Sequence, residues 1–391
     1  MKTRRRNYGK DRISILPDCL LLQILSNLEV NQAVELSILS TRWKNLWKHI
    51  SVLSLHYRNF ESVETFATFV SQVFSSRNVN TSLQALTFEC QRYCDPDLLE
   101  RILKYLFSHN IQRLDMTVTC SLKHFPLCTN FSYHTLTSLK LTSCQEYYRP
   151  SFLPVFPNSL QFPALTYLSL GYFTFRCTTD DGYADPFSVF QSLNTLIIHY
   201  CQLYNEKTSA ENNLFISSVS LVHLTIALQA DYKCYKLKLS TPNLCSFDFV
   251  GHPFQNLCGH NNISNTNFSN IKHVKIELPI LKVTCSPTIL FNWLVELALM
   301  ESLTISSKTL ETLNLIPESW KIGFSYLHNL KLLKIVTIER FSLPDGKEDF
   351  LLQNAPSAKK VILPGPTLKS ILKDLINEEQ ILKKRFRYRH C

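Results

Sequence analysis

Cys120, His124 and Cys128 stand four residues apart, a spacing that could bring two thiolates and an imidazole to one metal ion. A structural zinc site needs four ligands, usually as two close pairs. Cys90 and Cys94 could complete such a set only if separate loops converged, so no metal is expected. Nucleophilic chemistry is equally thin, because the chain has no Gly-x-Ser-x-Gly elbow and no His-Glu-x-x-His run. With 8 glycines in 391 residues, neither a dinucleotide-binding fingerprint nor a P-loop occurs. The sequence reads as a chain without catalysis and without a cofactor, so its chemistry is that of surfaces.

The elements that build those surfaces follow from composition. At 45% hydrophobic and 18% charged, the chain is too apolar for disorder and long enough for an extended core. Its net charge of +10 is concentrated at the ends: residues 1–12 carry +5 and residues 369–391 carry +4. A nucleic-acid reader needs a basic stripe along a binding face, so nucleic acid is not expected as a partner. The run Lys2–Arg6 could serve nuclear import, although a short basic terminus is more commonly only solvated. The first apolar stretch, Cys19–Leu25, lies directly behind Pro17 and Asp18, which does not make a signal peptide. The longest uncharged apolar-rich stretch, Val283–Val295, spans 13 residues and contains a proline, well short of a membrane span of about 20. The chain is therefore expected in the cytosol or nucleus, with its 13 scattered cysteines as free, buried thiols.

Residues 11–55 predict three short helices. Pro17 can open the first, because its missing N–H would lack a partner there anyway. Leu21, Ile24, Leu25 and Leu28 follow at helical spacing. Asn31 could cap a second helix carrying Ala33, Val34 and Leu36, and Ser40 a third carrying Trp43, Leu46 and Trp47. So small a unit cannot hide all its apolar surface, and the remainder argues for a partner.

The stretches Asp11-Arg-Ile-Ser-Ile-Leu-Pro-Asp18, Leu21-Leu-Gln-Ile-Leu-Ser-Asn-Leu28, Ala33-Val34 and Leu39-Ser-Thr-Arg-Trp-Lys-Asn-Leu-Trp47 resemble the F-box of plant F-box proteins. That resemblance implies docking onto a Skp-type adaptor and, through it, onto the cullin and RING subunits of a ubiquitin ligase. Carried over by position, Leu16 and Pro17 would enter the adaptor's groove. Ile24, Leu25, Val34, Leu39 and Trp43 would extend that contact or hold the helices together. Glu29 departs from the pattern, since the family usually has proline before the second helix, and the change is expected to loosen that turn.

Beyond the module a pattern, apolar-x-x-apolar-x-apolar, recurs ten times. Its middle residues are Leu86, Leu114, Leu139, Leu168, Leu196, Leu224, Phe247, Val274, Leu303 and Leu333, at steps of 23–30 residues. That period suits leucine-rich repeats, each copy entering a short strand, with the strands stacked in parallel. The fold class expected is α/β: a three-helix F-box followed by an irregular solenoid with its parallel sheet on the concave face. The segments between strands, rich in Ser, Asn, Thr and Pro, read as irregular loops with short helical turns. Cys144 and Cys201 sit where the repeat consensus uses Asn or Cys to bond loop backbone.

The domains expected are a basic tail at 1–10, the F-box at 11–55, repeats over 56–340 opening with a cap helix at 62–77, and a closing region at 341–391. Phe350-Leu-Leu-Gln-Asn-Ala-Pro356 and Lys359-Lys-Val-Ile-Leu363 resemble the start of the FBD region of plant F-box chains. A last amphipathic helix with Leu368, Ile371, Leu372, Leu375 and Leu382 follows. The function this implies is substrate recognition for an SCF-type ligase, with an unknown target on the repeats. The alternatives are a non-ligase repeat scaffold, or a small-molecule sensor, using the F-box for adaptor pairing alone.

Overall fold

The computed structural model describes residues 13, 15–78, 80–119, 134–144, 153–157, 160–177, 182–204, 213–228, 236–253, 257, 268–278, 286–317, 319–320, 327–337 and 349–365. It is a mixed α/β protein with a helical amino-terminal region and parallel sheet, and it divides into two compact units.

The first unit comprises Met1–Thr119 and Phe131–Leu136. Helix α1 (Asp18–Leu25) and helix α2 (Val30–Glu35) lead into 3-10 turns at Leu36–Ile38 and Trp43–His49. The chain then enters strand β1 (Val52–His56), helix α3 (Val63–Ser76), strand β2 (Ala85–Tyr93), helix α4 (Pro96–Ser108) and strand β3 (Arg113–Thr119). The strands pair in the order β1-β2-β3, all parallel. Helix α3 begins where Ser62 accepts from the Thr65 N–H, a reciprocal cap. It buries Phe66, Val70 and Val73, and the Phe66 ring stacks on Phe88 of β2 at 5.5 Å. Helix α4 starts on an Asp95 cap with Pro96 in its first turn.

The second unit holds strands β4 (Ser138–Ser143), β5 (Tyr167–Gly171), β6 (Thr174–Arg176), β7 (Tyr183–Ala184), β8 (Thr195–His199) and β9 (Gln202–Tyr204). After these come β10 (Asn213–Ser217), β11 (His223–Ala227), β12 (Lys236–Ser240), β13 (Ser246–Val250) and β14 (His273–Glu277). Helix α5 (Pro287–Glu296), β15 (Ser302–Ser306), helix α6 (Ser307–Asn314), β16 (Leu332–Thr337), helix α7 (Asp349–Gln353) and β17 (Lys359–Pro364) complete it. The main sheet runs β4-β5-β8-β11-β13-β14-β15-β16-β17. Smaller parallel ladders join β12-β10-β7 and β6-β9.

The repeated triplets explain the main sheet. Their middle residues stand opposite one another: Leu86 with Leu114 in the first unit, and Leu139, Leu168, Leu196, Leu224, Phe247, Val274, Leu303 and Leu333 in the second. Side chains alternate across a strand, so the third apolar residue of each triplet, two positions past the middle one, shares that face. All these positions are buried. One backbone carbonyl per copy locks the register by accepting two N–H groups from the next copy. The Thr137 carbonyl takes those of Thr166 and Tyr167, and the Thr166 carbonyl takes those of Asn194 and Thr195. The same arrangement continues at Asn194, Val222, Cys245, Lys272 and Glu301. A carbonyl has two lone pairs, so neither bond displaces the other.

The structure departs from the sequence reading between the strands. Segments expected as irregular loops contain the regular helices α4 and α5 and the side ladders. Trp293 of α5 packs edge-on against Phe249 at 4.7 Å, which ties that helix to the core. Strand β1 is an addition, since the sequence reading ended the helical module at residue 55. Asn31 and Ser40 do not cap helices: α2 is capped by Glu29, and the turn at Trp43–His49 follows Arg42. Cys201 is buried, and its Sγ lies 3.5 Å from the Leu170 and His199 carbonyls, to which it donates. The expected final helix at 368–382, Lys2–Arg6, and Cys120, His124 and Cys128 lie outside the described residues.

Candidate docking module

Helix α1 turns two residues inward. Leu21 and Leu25 are buried, while Leu20 and Ile24, also one turn apart, face out, with Ile24 41% exposed. Trp43, Leu46 and Trp47 are buried from the third segment. Leu16 and Val34 are half-buried, Pro17 is exposed, and Leu39 is 69% exposed. The expected site residues thus separate into two groups. Leu25 and Trp43 hold the module together; Leu16, Pro17, Ile24 and Leu39 present apolar surface outward. Ile13, Ile15, Leu20 and Ile38, which sequence reasoning did not single out, add to that surface. Of 15 well-exposed large apolar side chains among the described residues, 6 fall within residues 13–39. Single exposed apolar residues need no explanation, whereas this concentration is higher than elsewhere among the described residues.

Polar contacts fix this arrangement. Pro17 sits at the cap position of α1, where its carbonyl accepts the Leu20 and Leu21 N–H groups at 3.1 and 3.2 Å. Arg42 reaches back across the module. Its Nη2 donates to Asp18 Oδ1 at 2.6 Å and to the Leu16 carbonyl at 2.5 Å, and its Nε donates to the same Asp18 oxygen at 3.0 Å. The guanidinium therefore grips the chain on both sides of Pro17. A pairing across 24 residues leaves no local trace in sequence.

Glu29 does not loosen its turn. It caps α2 reciprocally with Gln32 and receives hydrogen bonds from Arg58 and Asn59. His56 Nδ1 of β1 lies 3.0 Å from Glu29 Oε1. Burial raises the Glu29 carboxyl, but hydrogen bonds from Arg58, His56 and Asn59 outweigh it and bring the pKa down to about 2. The carboxylate ties the helical module to the first strand and the turn after it.

Residues 13–55 match the F-box domain. The chain carries an F-box domain and is similar to plant F-box proteins with leucine-rich repeats and an FBD region. An F-box/LRR-repeat protein of Arabidopsis thaliana is 25% identical over 379 residues, taking in 91% of this chain and 60% of the relative. An F-box/FBD/LRR-repeat protein of the same plant is 30% identical over 224 residues, 56% of this chain and 48% of the relative. F-box/LRR-repeat protein 13, also from Arabidopsis thaliana, is 39% identical over 110 residues, 27% of this chain and 24% of the relative. In each case the chain spans less than two thirds of the relative's own length. The F-box match ends inside β1, so the strand that opens the first sheet overlaps the module's last residues. Among the described residues, no helix is long and apolar enough to cross a membrane.

Proposed function

We propose that this F-box protein is the non-catalytic substrate-recognition subunit of an SCF-type ubiquitin ligase, working in the cytosol or nucleus. Its F-box docks on a Skp-type adaptor through Leu16, Pro17, Ile24 and Leu39, with Val34 at the margin and Leu25 and Trp43 as the frame behind them. The observation that carries this reading is the concentration of outward apolar side chains in the segment that matches the F-box domain. An apolar centre with large anchors suits a stable interface, which buries roughly 1,200–2,000 Å² in total.

The strand stack is read as a leucine-rich-repeat solenoid over 56–340, with α3 sealing its first end and the FBD-like residues 341–391 its last. Repeat arrays need such caps because terminal units otherwise expose a core face. The repeats would hold a target protein near a ubiquitin-charged enzyme, raising the effective concentration of its lysines.

The test is co-expression of the full chain with a Skp-type adaptor. The double variant Leu16→Ala, Pro17→Ala should lose the adaptor while keeping the circular dichroism of the parent. Adaptor retention by a folded double variant overturns the assignment. Recovery of adaptor without cullin would favour the scaffold reading.

A further inference from the structure

The main sheet of the second unit has another face, opposite its buried rows, built by the residues that alternate with the triplets. Register lays rows across it. His223, Ser246, His273 and Ser302 form one; Thr225, Asp248, Lys275 and Thr304 form the next; Ala227, Val250 and Glu277 form a third. His223 and His273 are exposed on either side of β13, so the face is open there. Asp248 stands in the middle of it, half-buried.

The charges around Asp248 leave it unanswered. Lys275 is its cross-strand neighbour, but Lys275 Nζ lies 3.1 Å from Glu277 Oε1, on the same face of the same strand. Among the described residues Asp248 accepts no hydrogen bond. Burial raises its pKa; the charge of Lys275 opposes that, Glu277 adds to it, and His223 and His273 oppose it. A carboxylate that is partly desolvated and holds no donor is satisfied best by a cation that brings several N–H groups. A guanidinium does so, since its planar fork gives parallel bonds to both oxygens. Thr225 and Ser246 beside Asp248 are short, which leaves a long side chain room to reach the carboxylate.

The same row carries an apolar contact. Ile197 of β8 is half-buried and stands opposite Thr225, which stands opposite Asp248. Strands lie about 4.8 Å apart, so two spacings set Ile197 and Asp248 about 9.6 Å apart across the face. A polyproline-II chain turns every third side chain to the same side and advances about 9.3 Å between them. An apolar residue and an arginine at that separation would meet Ile197 and Asp248 together.

We propose that this face takes an extended, proline-rich segment of the target protein, whose arginine docks on Asp248 and whose apolar residue, one turn away, rests on Ile197. This assignment rests on the repeats being the target site and adds the chemistry of what they hold.

The experiment uses the full chain and a fluorescein-labelled peptide of sequence Pro-Ile-Pro-Pro-Arg-Pro-Pro, read by fluorescence anisotropy. Binding should weaken at least tenfold when the arginine is replaced by glutamate, and nearly as much when it is replaced by citrulline, which keeps the shape and loses the charge. Asp248→Lys should invert the preference, binding the glutamate peptide better than the arginine one. Such an inversion cannot come from misfolding. Equal affinity for both peptides, no binding by the parent, or an arginine preference that survives Asp248→Lys overturns the proposal. Panning random phage-displayed peptides on the full chain, with the double variant Ile197→Arg, Thr225→Arg as a blocked control, separates the assignment from the reading beneath it. Arginine-bearing binders lost on Asp248→Lys support both. Binders that need the open face but carry no arginine overturn the assignment and keep the repeats as the target site. Absence of any binder that the blocked control loses overturns both.

Discussion

Arg42 holds Asp18 through two hydrogen bonds to one carboxylate oxygen, at 2.6 and 3.0 Å, and closes the loop around Pro17 by also binding the Leu16 carbonyl. Both charged side chains are substantially exposed, so the pair itself contributes little to stability, about 0–1 kcal/mol. Its consequence is geometric. It sets the direction in which Leu16 and Pro17 leave the module.

Arg42→Ala is therefore expected to change the melting temperature little and to weaken adaptor binding about tenfold, a cost of roughly 1.4 kcal/mol. Arg42→Lys should recover only part of the loss, because an ammonium lacks the planar fork that reaches both partners. Titration calorimetry with a Skp-type adaptor checks both. A melting temperature that falls while affinity holds would move Arg42 from positioning to stability.

Glu29 makes stability depend on acidity. Its folded pKa of about 2 lies below the ordinary carboxyl value of 4.5, so its contribution is complete above about pH 4.5 and is lost as pH falls toward 2. Allowing for solvent screening around Arg58, the contribution is of order 1 kcal/mol. The variant Glu29→Gln should melt lower than the parent at pH 7, and the gap should close as pH falls from 4.5 to 2.5. Thermal melts across that range decide it; a constant gap means the clamp acts through shape alone.

Arg77 follows the last turn of α3 and is 4% exposed. Its Nη2 donates to the Thr81 carbonyl at 3.3 Å, while its Nε and Nη1 are buried with no hydrogen-bond partner among the described residues. Burial lowers its pKa. A buried charge so poorly satisfied is costly, and an apolar side chain of similar reach can serve as well. Arg77→Met is expected to leave stability unchanged or raise it by about 1–2 kcal/mol in chemical denaturation. A loss of similar size would show that the guanidinium has an ordered partner.

Burial pushes the Cys201 thiol up to about 12 despite hydrogen bonds from nearby backbone. The thiolate is the reactive form, so Cys201 should stay unmodified by iodoacetamide at pH 8 while exposed Cys19 reacts. Mass spectrometry of native and denatured samples tests this; labelling of Cys201 in the native chain would show that the turn between β8 and β9 opens.

The strands were legible because burial repeats in sequence. Ten triplets placed ten strands, and their middle residues do stand opposite one another. An eleventh copy is present in plain view, since Ile50, Leu53 and Leu55 have the same spacing and are buried, the last two on β1. The boundary expected for the helical module, residue 55, takes in this triplet, although the stretches that resemble the F-box end at Trp47. Strand β17 falls outside the triplet series, because Lys360 stands where the pattern has its middle apolar residue. The side ladders and α5 were missed because their segments carry turn-forming residues that mask short regular elements. In the docking module, apolar residue types predicted membership but not direction: Leu25 and Ile24 are neighbours in sequence and face opposite ways. The Arg42 and Glu29 clamps join residues 24 to 30 positions apart, and no periodicity signals them.

The shared carbonyls carry a consequence for how such a chain can change. Each junction is closed entirely by its two neighbours, so the register of one strand asks nothing of the span that joins it to the next. Connecting segments can grow, shrink or acquire helices of their own while the ladder stays aligned. The stack is a fixed spine along which the outer material is free to diverge, and novelty can accumulate there without refolding the rest.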